Sequence, residues 1–156
     1  MNRMATLLAT GFGIGWIPRA PGTAASFIAL PFGWWLAFLG DWMGLFAGTV
    51  AATLIGIWAT NRHGKRVQRH DPSECVIDEV AGHWCALLPL ASTGRLASPA
   101  ALVAAFVLFR FFDIVKPWPI APLERLPGGI GVMMDDIAAG MISAALVGGA
   151  IYAGWI

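Results

Sequence analysis

Two adjacent carboxylates, Asp78 and Glu79, open the otherwise apolar stretch CVIDEVAGHWCALLPL, residues 75–90. A second pair, Asp135 and Asp136, lies in GGIGVMMDDIAAG, and Asp113 follows the apolar run PAALVAAFVLFRFF. Charge beside hydrocarbon is costly and marks function. Clustered carboxylates repel one another unless a cation neutralises them. Oxygen donors without a Cys or His pattern suit Mg²⁺, which is held by one or two carboxylates plus waters and substrate phosphate. Helix capping is the plainer account, since acids near helix N-termini complement the dipole. It serves Asp135 and Asp136 alone as well as a metal does, but serves all five acids less well.

Basic residues stand close to these acids. Arg110 precedes Asp113 by three positions and can pair with it on one helical face. Lys116 follows Asp113 by three and directly precedes Pro117, where helix is disfavoured, so it is expected to leave that face and become available to phosphate. Near the N-terminus, GFGIGWIPRAPGTAAS sets glycines, Arg19, Thr23 and Ser26 before an apolar run. Backbone N–H groups at such a helix start form an anion site. GFGIG is not a dinucleotide fingerprint, and no P-loop lysine follows it. His63 and His70 fall in a basic segment and are read as solvated. His83 lies four residues after Glu79 and is placed to hydrogen-bond it in a structural role. Cys75 and Cys85 read as small apolar residues. No Cys-x5-Arg loop, Asp-x-Asp-x-Thr nucleophile or histidine-based lipid phosphatase motif is present. Phosphate chemistry here would therefore use metal-activated water.

The elements that must position these groups are hydrophobic. The 156 residues are 58% hydrophobic and 12% charged, against about 45–50% and about 25% in an ordinary domain. Eight tryptophans fit a membrane–water interface. The reading is one all-α domain over 1–156, a polytopic helical membrane protein of about five hydrophobic helices with a cytoplasm-facing polar site. The expected segments are 24–40, 43–60, 77–91, 99–112 and 136–156, with a tight turn at Asp41. Several are near or below the roughly 17–25 residues that a span needs. Prolines keep 113–129 from forming one continuous helix. Basic residues at Arg3 and Arg19, in NRHGKRVQRHDPSE (61–74), and around 110–125 all fall on one side of this topology, the cytoplasmic side. All five acids then converge at that boundary. A net charge of +1 gives no case for nucleic-acid binding. The start of the chain lacks a signal-peptide cleavage pattern. Oligomerisation is left open.

Four motifs in order, GFGIGWIPRAPGTAAS, VIDEVAGHW, FVLFRFFDIVKPWP and GGIGVMMDDIAAG, resemble the phosphatidylglycerophosphatase A family from Gly11 to Gly140. One departure is Ala25 before Ser26, where the family usually has glycine. The resemblance implies a Mg²⁺-dependent phosphatase of the bacterial inner membrane that hydrolyses the phosphomonoester of phosphatidylglycerophosphate to phosphatidylglycerol. It also implies helices arranged around a buried central one. On this basis Asp78, Glu79, Asp113, Asp135 and Asp136 are the metal candidates. Asp78, Glu79, Asp113 and Lys116 are the catalytic candidates. Arg19, Thr23, Ser26, Arg110 and Lys116 are the phosphate-binding candidates. Two other classes compete. A small transporter would place its carboxylates mid-span rather than at segment ends. A lipid phosphotransferase would carry a D-G-x2-A-R signature, which is absent.

Overall fold

The computed structural model describes residues 3–156, and among them every regular element is helical. A short α1 (Arg3–Ala9) is followed by a 3-10 segment, Gly11–Trp16, with Phe12 and Gly13 at φ 57° and 100°. Then come α2 (Pro21–Val67), α3 (Ile77–Ser92), α4 (Pro99–Val115) and α5 (Gly129–Tyr152). Helices α2 and α5 are long and apolar enough to cross a membrane; α3 and α4, of 16 and 17 residues, are shorter than the about 20 usually required.

Helix α2 is folded double. Its helical geometry breaks at Gly40 and at Asp41, where φ is 52° and ψ −151°, a backbone conformation that residues with a side chain rarely adopt and that stores strain at the turn. The two limbs pack on one another: a Cβ at Gly48 would lie 2.5 Å from Leu36 Cδ1. The tight turn expected at Asp41 is therefore present. Pro21 begins the first limb at a position where its missing N–H costs nothing. The second limb runs on to Val67, so 61–67 is helix and not the loop expected. Nothing in NRHGKRV breaks a helix, and Lys65 and Arg66 in its last turn complement the dipole. Gln68, at φ 56°, ends it.

Helix α3 is the central element. It packs chiefly on α2 and α5, and Ala81, Gly82, His83, Ala86, Leu87 and Leu90 are buried. Small residues let the backbones approach. A Cβ at Gly82 would stand 2.6 Å from the Asp136 carbonyl oxygen, and one at Gly140 would stand 3.0 Å from Cys85 Cβ. The Trp84 indole N–H donates to the Ala29 carbonyl at 2.9 Å and ties α3 to the first limb of α2. Leu45, Leu87, Leu90, Ala101, Ala105 and Val147 close the core towards the Asp41 end.

Helix α5 starts seven residues earlier than the segment expected at 136. The glycines of GGIGV read as loop because they lack side chains, but a Cβ at Gly129 would press on Thr60 Oγ1 at 2.6 Å. They are small because α5 begins against α2. Asp135 and Asp136 are thus well inside a helix and are not its caps.

The Asp41 turn and residues 91–97 line one shallow cleft, and Arg95 Nη1 donates to the Ile156 carbonyl at 2.6 Å. The 61–76 and 113–128 segments meet at the opposite end, where His70 Nε2 stands 3.1 Å from the Glu124 carbonyl and Gly128 lies against Asn61. Between the ends the outer surface is apolar: Phe27, Phe32, Trp35 and Phe38 are all exposed.

Candidate metal and phosphate site

Helices α3 and α5 cross at the Gly82–Gly140 contact, with Asp78 and Glu79 in the first turn of α3. That crossing brings Asp78, Glu79 and Asp136 together, with one carboxylate oxygen from each lying within 4.8 Å of the others. Asp78 and Asp136 are buried and Glu79 is half-buried. No side chain caps α3; Asp78 Oδ1 instead accepts from the Glu79 N–H at 3.1 Å. Glu79 Oε2 and Asp136 Oδ2 are buried without a hydrogen-bond partner, as is Asp135 Oδ1. Buried carboxylate oxygens facing one another without a donor carry a large desolvation cost unless a cation binds them. The donor set is all oxygen, which fits a hard divalent ion.

Two cations flank the cluster. Arg110 Nη1 is 2.7 Å from Asp113 Oδ2, 4.0 Å from Glu79 Oε1 and 3.5 Å from Ser26 Oγ. Ser26 donates back to the Gly22 carbonyl at 2.8 Å. The Arg110–Asp113 pair expected from their spacing is therefore present. Asp113 is paired with Arg110 and, although outside the three-carboxylate group, its carboxyl also stands beside Asp136. Lys116 does leave the helical face, at φ 44°. It is not free, because its ammonium is 2.6 Å from Asp135 Oδ2 and 3.4 Å from Glu124 Oε2. Burial disfavours that ammonium, but the Asp135 hydrogen bond and the nearby Glu124 and Asp136 charges outweigh it and raise the Lys116 pKa. Asp135 is thereby held by Lys116 and turned from the trio. Arg19 is exposed and makes no ion pair among the described residues, and Thr23 makes no hydrogen bond to the cluster.

Other expectations change. His83 does not bond Glu79. Both ring nitrogens lack partners, and the ring packs beside Phe106 and Phe109 at 5.3 and 5.5 Å. His63 is buried rather than solvated, with Nδ1 3.2 Å from Thr6 Oγ1 and Nε2 3.1 Å from Glu74 Oε1. Arg66 donates to the same threonine at 3.0 Å. This chain ties α1, the end of α2 and the approach to α3. No spacing rule links Thr6, His63 and Glu74, so the sequence carries no signal for it. Gly22 is also reinterpreted: a Cβ there would overlap Glu79 Oε1 and stand 3.3 Å from Arg110 Nη1. It makes room for the acid and the guanidinium. Cys75 and Cys85 are buried and free, and burial raises the Cys75 thiol's pKa, away from reactivity.

A helical bundle with an apolar exterior and a buried acidic trio beside arginine and lysine has the groups that phosphate-ester chemistry calls for. The comparisons with known proteins agree. The family model for phosphatidylglycerophosphatase A matches residues 7–151. Phosphatidylglycerophosphatase A of Escherichia coli is 38% identical over 90% of this chain and 80% of its own length; that of Haemophilus influenzae is 36% identical over 90% and 85%. A Bacteroides thetaiotaomicron protein described as a candidate phosphatidylinositol-3-phosphatase is 41% identical over 92% and 91%. No solved structure matches the chain. The chain belongs to the phosphatidylglycerophosphatase A family.

Proposed function

We propose that this chain hydrolyses the phosphomonoester of phosphatidylglycerophosphate to phosphatidylglycerol and phosphate, using Mg²⁺ held by Asp78, Glu79 and Asp136. Family membership supports the reaction. The observation that carries the metal is the trio itself: three acids within 4.8 Å, with unpartnered buried oxygens on Glu79 and Asp136. When bound, the ion supplies charge neutralisation for phosphoryl oxygens and a lowered pKa for water.

The chain's own groups do the rest. Asp113 fixes Arg110 so that its guanidinium stays beside Glu79 and Ser26, aimed where phosphate charge develops. Asp135 and Glu124 hold Lys116 at the rim as a second cation. A carboxylate of the trio would take the proton from the attacking water and return it to the leaving glyceryl oxygen as the ester P–O bond breaks. Arg19 and Thr23, at the entrance to α2, are assigned to the headgroup. We place the protein in the bacterial inner membrane as a multi-pass protein with this site facing the cytoplasm. The basic residues gathered at the acidic end support that orientation. The transporter reading is less favoured, because the acids lie at one end of the bundle with a cation beside them.

The Bacteroides relative supports a second reading, a phosphoinositide substrate. A substrate panel tests both: phosphate release from phosphatidylglycerophosphate, phosphatidylinositol 3-phosphate and glycerol 3-phosphate, each with Mg²⁺. The first should be turned over fastest. Preference for the inositide would support the second reading, and no release from any would reject both.

A further inference from the structure

We propose that the apolar cleft between the two limbs of α2 and helix α3, walled also by α1 and the 3-10 segment, holds one acyl chain of the lipid substrate while its phosphate lies at the carboxylate trio. This rests on the reading that the trio receives that phosphate. The cleft has a volume of about 430 Å³ and no charged residue on its walls. Its mouth abuts the site. Ile77 and Val80 line it and bracket Asp78 and Glu79 on α3. Ala25 lines it three residues after Gly22, on the helical face that backs Glu79, and next to Ser26, which accepts from Arg110. The cleft then follows the first limb of α2 down to Leu36. From Ala25 to Leu36 is roughly 16 Å at about 1.5 Å per residue, close to the roughly 15 Å hydrocarbon depth of one leaflet. Small residues on facing limbs leave the space open, and Leu36 against Gly48 closes its floor.

A second apolar cleft, lined by Val50, Cys85 and Met141, lies between α2, α3 and α5. It is on the far side of α3 from Arg110 and Ser26, so it lacks the phosphate-neutralising neighbour. It serves as the comparison site. Inside a bilayer an acyl chain gains no hydrophobic energy by moving from lipid to protein. The cleft therefore acts by orientation, presenting the headgroup ester to the site.

Ala51 is exposed on the cleft wall, about 6 Å below the Ile55 level at 1.5 Å per residue, so a large side chain there fills the cleft without entering the core. Ala51→Trp should lower kcat/KM for dioleoyl-phosphatidylglycerophosphate about tenfold or more, while dihexanoyl substrate, whose chains stop short of this level, stays within about twofold. Val50→Trp, in the comparison cleft, should change neither. Equal effects of Ala51→Trp on both substrates, or an equal loss in Val50→Trp, would overturn the assignment. A second readout needs no turnover. With Mg²⁺ chelated, phosphatidylglycerophosphate carrying a mid-chain diazirine should label peptides 25–36 and 48–55, and excess unlabelled substrate but not phosphatidylcholine should suppress the labelling. Labelling spread evenly over both clefts without such competition means annular lipid and rejects the proposal. If the wild type hydrolyses neither lipid, the functional reading fails, and the photolabel still decides the cleft.

Discussion

At the residue scale the acids divide into three that face one another, the ligands proposed for the ion, and two that hold basic side chains. Asp78, Glu79 and Asp136 face one another, whereas Asp113 and Asp135 are occupied by Arg110 and Lys116. Substitutions should separate these groups. Asp136→Asn should cut turnover about 100-fold or more, roughly 2.7 kcal/mol at about 1.36 kcal/mol per tenfold, with the melting temperature kept or raised because one like charge is gone. Asp78→Asn should behave the same way, although Asn caps a helix as well as Asp does. Near-normal turnover in both variants would make the pair structural. Lys116→Met should lower turnover by removing the second cation, and should act on stability as well. It leaves the Asp135 carboxylate buried without its donor and should cost about 2 kcal/mol in denaturant unfolding. Adding Asp135→Asn to that variant should restore part of the loss; no recovery would mean that the pair is not coupled.

The spacing of helix elements explains what the amino-acid pattern revealed and what it hid. Arg110 and Asp113 were legible as partners because they are three apart on one helix. The departure of Lys116 was legible from Pro117. The trio itself needed α3 and α5 to cross at Gly82 and Gly140, a long-range contact that no local pattern encodes. The start of α5 was hidden because glycines chosen for close approach look like glycines chosen for a loop. His63 was misplaced because its partners, Thr6 and Glu74, come from distant segments. Gly82→Val tests the crossing. Its side chain would meet Phe109 Cε2, where even a Cβ stands at 2.7 Å, and the Asp136 carbonyl. Overpacking of this kind costs about 1–3 kcal/mol. It should also move Asp136 from Asp78 and Glu79, so activity should fall about 100-fold while helical content by circular dichroism is retained. Activity retained in a folded variant would show that the crossing does not set the site.

Viewed as a whole molecule, the chain has an acidic and basic end, an apolar waist and a small polar far end at Asp41 and Arg95. If the bundle stands across a bilayer, cysteines introduced at Lys65 and Glu124 should label from the same side, and one at Gly94 from the other. Labelling of Lys65 and Glu124 positions from opposite sides would break the shared site. The most direct test of the central claim is phosphate release from phosphatidylglycerophosphate by the purified wild type across a Mg²⁺ titration, with and without excess chelator. The account predicts no turnover in chelator and full recovery when Mg²⁺ is restored; undiminished turnover in excess chelator would contradict it.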